Sequence, residues 1–471
     1  MIEKDIRKIA LVGAGDAAER FITTIHQSSL NSQFTFSYIF DDNENKVGST
    51  IHGIKIVDTV NNIHKYKDSF DEIVVAIPSC SDADFNTIYN MLLKTEKKIL
   101  TIPSLKAILR KPDSITSVRD VDIRDLIKRD EVEISYDEID NYIKNKTVLV
   151  TGGAGSIGSM IIKLCLDSGA NKVICIDSSE YNIYSMLQEQ SQERLLWKVS
   201  DIKDFKMMDI HFEKYKPDII FHAAALKHVN LQESNLKDCL LTNFYGTNNI
   251  LKLAIKYNIE NFVLISTDKA VEPINNMGLS KRMAEFLAYY HSNSSNTKMS
   301  VVRFGNVIGS SGSVLNYFSE LIKNRKDIVV THPEVSRFFM SIKEACYLVL
   351  QSVQSTEKKY QVFMLDMGEE ILIKDIAERL ILLSGLSLGK DINIKFSKLA
   401  KGEKIREKLN YSFETALPSD TSKLVKLNSS NNIDNDSFSE IISDLEDMIY
   451  NKDISDNEII SYLSDCFKEL I

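Results

Sequence analysis

The sequence predicts an α/β chain of two Rossmann-like parallel-sheet domains, the second a full doubly wound fold with a small additional subdomain. Three observations predict it. Apolar runs of strand length alternate with helix-spaced runs from Ile6 to Ile102, and again from Lys146 to about Leu409; this is the pattern of βαβ units. Two of the runs end in glycine turns, Gly13-Ala-Gly15-Asp-Ala-Ala18 and Gly152-Gly-Ala-Gly-Ser-Ile-Gly158. In the second block, the runs ending at His222, Ile265 and Arg303 lead into chemistry-bearing residues, as expected of a site outside the carboxyl ends of parallel strands.

In the first block, Ile6–Gly13 is a strand, Ala17 to about His26 a helix, and Phe34–Phe40 a strand ending at Asp41-Asp42. Ile73–Ile77 and Lys98–Ile102 are later strands with the helix Asp84–Leu93 between them. A nucleotide could bind at this first glycine turn too. No cluster of acid–base residues accompanies it, so residues 1–110 are expected to form an accessory or regulatory domain. Residues 111–145 are charged and poorly periodic. They are expected to be a connecting arm with short helices, and the residues leave open a solvated linker, an oligomer contact or a clamp on the second domain.

The second block, 146–410, has strand-like runs at Thr147–Val150, Lys172–Ile176, Leu196–Val199, Ile219–His222, Asn261–Ile265 and Met299–Arg303. They predict a sheet of about six or seven strands. In the last region, 411–471, Leu427–Ser437 is polar and of low complexity, as expected of a connector. Helical spacing of Ile441, Ile442, Leu445, Met448 and Ile449, and then of Ile459, Ile460, Leu463 and Phe467, predicts two amphipathic helices.

A chain of 471 residues is expected to hold two or three domains. Hydrophobic content of 44% and charged content of 26% are ordinary for a soluble globular protein. A net charge of −9 argues against nucleic acid as a general partner, leaving room for local phosphate pockets. The six cysteines are scattered without metal-ligand spacing, so no metal is expected and they read as buried thiols in a reducing compartment. The charged amino terminus is unlike a signal peptide, and no apolar run approaches the roughly 18 residues that span a bilayer. No transmembrane segment and a cytoplasmic location are the expectation.

The second glycine turn carries the first chemical inference. Glycines let the backbone approach a pyrophosphate, and the free N–H groups of the following helix face its charge. The next strand ends in Asp177, 19 residues beyond Gly158, where a carboxylate can accept hydrogen bonds from a ribose diol. The expected dinucleotide lining is Gly152, Gly155, Ser156, Ile157 and Gly158, then Asp177 and Ser178, Asp201 and Ile202, and the small Ala223, Ala224 and Ala225. Asp177 would repel a 2′-phosphate, which favours NAD over NADP, although Ser178-Ser179 could accept one.

Three further stretches follow strand ends. Lys227 and His228 lie past the alanines and point to substrate contacts. Ser266-Thr267-Asp268-Lys269 offers a hydroxyl, a carboxylate and an ammonium in a row, a donor, an acid and a base. As a base, Lys269 must be partly desolvated so that its neutral form is accessible. Met277 and Lys281 are four apart near the start of a helix running from Lys281 to Tyr290, and so share one face.

The turn TGGAGSIG, the HAAA segment and this spaced pair resemble the extended short-chain dehydrogenase/reductase superfamily. There the pair is Tyr and Lys, a base and the group that tunes it. Here Met277 stands in the Tyr position, and a thioether neither gives nor takes a proton at neutral pH. The series Ser266-Thr-Asp-Lys-Ala270, Met277…Lys281, Arg303-Phe-Gly-Asn-Val307, Gly312-Ser-Val314, Arg337-Phe-Phe-Met340, Asp366-Met-Gly368 and Gly402-Glu-Lys404 resembles, more narrowly, the large UDP-N-acetylglucosamine 4,6-dehydratases of bacterial polysaccharide and glycoprotein-sugar biosynthesis. The resemblance covers the chain from Ile9 to about Asn410.

It implies an NAD-dependent hydro-lyase with UDP-N-acetylglucosamine as substrate, homo-oligomeric and retaining the C5 configuration because Met277 replaces the Tyr. It assigns Asp268 as the acid for the departing C6 hydroxyl and Lys269 as the base at C5. Thr267 and Lys281 then support the C4 hydroxyl and the cofactor. Substrate anchors would be Asn243, Asn306, Arg337 and Glu403, beside Lys227 and His228. Two departures stand out: Ser311 where an Arg is common, and Asn316 where a Pro is usual. The competing readings are a nucleotide-sugar epimerase, a C5-inverting dehydratase, and a non-catalytic nucleotide-binding scaffold.

Overall fold

A computed structural model describes residues 7–27, 34–78, 80, 82–102, 119–120, 136–384, 386–417, 423–428 and 435–467. Most of the expected arm 111–145, and residues 429–434 of the expected connector, lie outside the described residues. The chain divides into two units, one comprising residues 1–130, 318–329 and 374–395, the other 131–317, 330–373 and 396–471.

In the first unit, a sheet runs in the order Thr50–Ile51, Ile54–Asp58, Phe34–Phe40, Arg7–Val12, Glu72–Val75, Lys98–Thr101, Arg119–Asp120. The five inner strands are parallel and both edges antiparallel. Arg7–Val12 buries its last four residues on both faces, the reason it reads as an uninterrupted apolar run. The edge hairpin 50–58 turns at His52 and Gly53, both with positive φ, a turn that suits strand twist. The first glycine turn is satisfied by its own chain. Asp41 accepts the Ala14 N–H at 2.6 Å, and Lys46 Nζ donates to the Ala14 carbonyl at 3.0 Å.

In the second unit, seven parallel strands stand in the order Leu195–Val199, Lys172–Asp177, Thr147–Thr151, Ile219–His222, Asn261–Ile265, Lys298–Arg303, Tyr360–Leu365. Two antiparallel strands, Leu424–Asn428 and Thr415–Leu417, extend the edge. Among the described residues the sheet thus has nine strands: the parallel part has the expected seven, and the region past 411 adds the two antiparallel ones. Strand order reverses between Thr147–Thr151 and Ile219–His222, which opens a crevice at their carboxyl ends.

The helices Asn435–Tyr450 and Asp456–Cys466, with the C-capping Phe467, bury Phe438, Leu445, Ile459, Leu463 and Phe467 in the same core as Phe286 and Leu287. The Phe467 ring stacks on Phe286, with centroids 5.0 Å apart. Cys165, Cys175, Cys239 and Cys346 are buried, whereas Cys466 is exposed, contrary to the expectation of buried thiols throughout. Among the described residues no helix is long and apolar enough to cross a membrane.

Candidate active site

The strand Thr147–Thr151 ends at Gly152, with φ +61°. A side chain there would strain that backbone, and its Cβ would lie 2.6 Å from the Ala224 nitrogen. A Cβ at Gly158 would collide with the Gly152 carbonyl. Only glycine lets the turn, the new helix Ser156–Asp167 and the alanine segment close together. The Asp177 carboxylate fixes the turn by accepting the Ala154 N–H at 3.1 Å and, through its other oxygen, the Ser179 N–H at 2.9 Å.

A cleft of about 880 Å³ opens above this turn. Of the residues expected for cofactor or chemistry, it is lined by Gly152, Gly155, Ser156, Ile157, Gly158, Asp177, Ser178, Asp201, Ile202, Ala223, Ala224, Ala225, Lys227, His228, Thr267, Lys269, Met277, Lys281 and Asn306. A turn that tolerates no side chain at Gly152 or Gly158, small flanking alanines and an acid at the adjacent strand end fit a dinucleotide.

Behind the floor, His222 is fully buried. Its Nδ1 lies 2.7 Å from Thr151 Oγ1 and its Nε2 2.9 Å from Thr247 Oγ1. Burial, with Lys281 nearby, pulls its pKa down to about 3, so the ring is neutral.

The strand Asn261–Ile265 delivers the next group. Thr267 caps a short 3₁₀ turn, Asp268–Ala270. Its hydroxyl donates to Asp268 Oδ1 at 2.8 Å, and Lys269 Nζ donates to the same oxygen at 2.9 Å. Lys269 Nζ also lies 3.3 Å from Asn306 Oδ1. Asp268 is fully buried, and its Oδ2 has no hydrogen-bond partner. It does not itself line the cleft; Thr267 and Lys269 connect it to that space.

The Met277 helix starts at Asn276, not at Lys281 as expected, because Asn275 caps it by accepting the Gly278 N–H at 2.7 Å. Met277 and Lys281 thus sit in its first two turns, facing the cleft. Lys281 is buried, and desolvation pulls its pKa down to about 8 against the opposing pull of Glu285 and Cys239.

Three expected substrate anchors lie elsewhere. Asn243 is 1% exposed. Its Oδ1 accepts the Leu226 N–H at 2.8 Å, and its Nδ2 donates to the Leu226 carbonyl and to Ser280 Oγ, each at 2.9 Å. It clamps the alanine loop to the Met277 helix, and its amide is occupied. Arg337 donates to the Ser336 and Ile405 carbonyls at 2.6 and 3.1 Å, and pairs with Glu403 at 3.5 Å. Glu403 in turn accepts from Thr331 and from the Ala400 N–H. Neither Arg337 nor Glu403 lines the cleft. Where the resemblance expects an Arg, Ser311 accepts Lys227 Nζ on its carbonyl at 2.7 Å and donates its N–H to Ser156 Oγ at 3.0 Å. This draws the 309–314 loop onto the glycine turn.

Sequence reasoning missed a buried charge cluster. Glu285 accepts from Ser266, Arg282 and Arg303, and Arg303 also pairs with Glu414 at 2.7 Å. The cluster anchors the residue preceding Thr267-Asp268-Lys269. The Glu and Arg types were visible in the sequence, but nothing local signalled that they meet.

A family described as "Polysaccharide biosynthesis protein" matches residues 148–429, and one described as "CoA binding domain" matches residues 4–103. The probable polysaccharide biosynthesis protein EpsC of Bacillus subtilis is 35% identical over 406 residues, covering 85% of this chain and 67% of EpsC. A UDP-glucose 4-epimerase of Rickettsia rickettsii is 36% identical over 223 residues, 45% of this chain and 63% of the epimerase. An inverting UDP-N-acetylglucosamine 4,6-dehydratase of Campylobacter jejuni is 29% identical over 267 residues, 56% of this chain and 76% of that enzyme. Among solved structures, the dTDP-glucose 4,6-dehydratase DesIV of Streptomyces venezuelae, a double mutant with NAD and DAU bound, shares the fold. Its TM-score is 0.52 and its identity 20%, covering 56% of this chain and 88% of DesIV. With the glycine turn, the Thr267-Asp268-Lys269 triplet and the Met277 helix all inside the matched segment, the chain belongs to the polysaccharide biosynthesis protein family.

Proposed function

We propose that the chain is an NAD-dependent nucleotide-sugar 4,6-dehydratase that acts on UDP-N-acetylglucosamine and retains the configuration at C5. The product is UDP-2-acetamido-2,6-dideoxy-α-D-xylo-hexos-4-ulose. One observation carries this reading. A fully buried carboxylate and a cleft-facing ammonium share a hydrogen bond at the end of a strand, beside a dinucleotide floor, with Met277 where a proton-transferring hydroxyl would stand in a simple reductase.

The pair suits elimination. When bound, NAD supplies reversible hydride acceptance, so the sugar is oxidised at C4 first and reduced at C6 last. A ketone at C4 acidifies the C5 hydrogen. Oxidation at C4 releases the O4 proton, which passes through Thr267 to Asp268 and makes it the neutral acid, while Lys269 enters the step as the neutral amine. Lys269 Nζ then takes the C5 proton. Asp268 gives its proton to O6 by way of the Thr267 hydroxyl, which lines the cleft, as the C6–O bond breaks, and water leaves a C5=C6 double bond. Lys269 returns its proton to the face of C5 from which it came, which retains configuration. Met277 cannot serve the C4 hydroxyl, and the Thr267–Asp268 hydrogen bond offers that proton a route.

Asp177 favours NAD by repelling a 2′-phosphate. Cytoplasmic location and homo-oligomeric assembly belong to the same proposal, testable by fractionation and light scattering. The experiment for the reaction is mass spectrometry after incubation with UDP-N-acetylglucosamine, where the proposal expects loss of one water. The epimerase relative favours a second reading, nucleotide-sugar epimerisation, which expects a product of unchanged mass.

A further inference from the structure

Glu407 carries a buried carboxylate that none of the assigned roles uses. It is 5% exposed, and its Oε2 has no hydrogen-bond partner. Its Oε1 lies 4.0 Å from Lys269 Nζ, and its Oε2 lies 3.6 Å from Lys404 Nζ. Lys404 directs its own hydrogen bond at the Val271 carbonyl, 2.8 Å away. A carboxylate removed from water and left without donors is costly unless nearby charge compensates it. Here the compensating cations are Lys404 and the proposed base.

The groups facing Lys269 Nζ are Asp268 from its own turn, Asn306 after the strand Lys298–Arg303, and Glu407 from the 402–409 segment. Lys281, from the Met277 helix, lines the same cleft. Asp268 gains and loses a proton in the proposed reaction, and Asn306 is neutral. Glu407 is therefore the one fixed negative charge among them.

We infer that Glu407 is a positioning residue that sets the proton affinity of Lys269 by standing beside the ammonium that forms when the C5 proton arrives. This rests on the dehydratase reading. The proton passes from C5 to Nζ and later back to C5, while Glu407 keeps its charge throughout. A charge already in place where positive charge develops stabilises that state without reorganisation, and over 4.0 Å inside a protein the attraction is substantial.

The test is Glu407→Gln in the full chain. Removing the charge makes the ammonium harder to form, so Lys269 is neutral at lower pH but is a weaker base. The acid limb of the pH–rate profile should move to lower pH, and the plateau kcat should fall about tenfold with KM unchanged. Independently of turnover, amine-reactive labelling of Lys269, followed by peptide mass spectrometry, should be faster at a fixed neutral pH. Lys404→Met strips Glu407 of its other cation, so the limb should move up and labelling should slow. It decides the matter if the Gln variant does not fold. Unchanged labelling and an unchanged profile in a folded variant would overturn the inference. A wild-type protein that removes no water from the nucleotide sugar would sink the dehydratase reading instead, and the labelling comparison would still report on Glu407.

Discussion

Replacing Glu285 with Gln removes the carboxylate at the centre of a fully buried charge cluster. Its Oε1 accepts from Ser266 Oγ at 2.6 Å and Arg303 Nε at 2.8 Å, and its Oε2 from Arg282 Nη1 at 2.9 Å and Arg303 Nη2 at 2.7 Å. Burial alone would push the Glu285 pKa up. The Arg303 guanidinium more than reverses this, with help from Arg282 and Ser266, and holds it at about 2 against an ordinary 4.5. A depression of that size corresponds to roughly 3 kcal/mol of stability, fully present above the ordinary pKa and lost as pH falls through the folded one. Breaking a buried ion pair by removing one partner costs about 3–5 kcal/mol, which agrees. The Gln variant leaves Arg303 with Glu414 as its carboxylate and strips Arg282 of the carboxylate it pairs with, leaving that guanidinium over the Phe286 and Tyr411 rings. Scanning calorimetry near neutral pH should show the melting transition of the catalytic unit lowered by roughly 5–15 °C. The gap to wild type should narrow as pH is taken down from about 4.5 towards 2. A variant that melts with wild type at neutral pH would refute the claim that this cluster holds the site together.

Other outcomes follow from the same geometry. Lys269→Ala should lower turnover roughly 10²–10⁴-fold while nucleotide-sugar binding persists, measurable by calorimetric titration. Lys281 is charged below about 8, and its ammonium contacts are lost as pH rises through that value. NAD affinity should therefore weaken above about pH 8, and Lys281→Met should flatten that dependence. Folding stability should move the other way: burying the ammonium penalises the native state below about 8, and the penalty fades as pH rises toward the unfolded value of 10.5. Asn243→Ala strands the Leu226 N–H and carbonyl, costs about 1–3 kcal/mol by thermal melting, and weakens cofactor binding without touching the cofactor.

Much of the fold was legible because burial on both faces of a parallel sheet writes itself as short apolar runs. Phe34–Phe40, Ile219–His222 and Asn261–Ile265 fall where the sequence puts them. The strands Thr415–Leu417 and Leu424–Asn428 were not legible. They lie antiparallel at a sheet edge, where Leu424–Asn428 is held extended by the distant strand Tyr360–Leu365 and in turn pairs with Thr415–Leu417. In the site, the glycine turn, Asp177 and Thr267-Asp268-Lys269 could be placed because strand ends of this fold converge on one crevice. Asn243, Arg337 and Glu403 were assigned by polarity and motif position, which do not reveal what an amide or guanidinium already bonds. Glu407 lies five residues beyond Gly402, and its meaning appears only once the 402–409 segment folds against Lys269.

The central claim is that Asp268 and Lys269 eliminate water and that Lys269 returns a proton to the face of C5 it came from. The most direct measurement is NMR of the product formed from UDP-N-acetylglucosamine in heavy water. The account predicts a 4-keto-6-deoxy sugar with C5 configuration retained. A product of inverted C5 configuration, or an epimer that has kept its C6 hydroxyl, would contradict it.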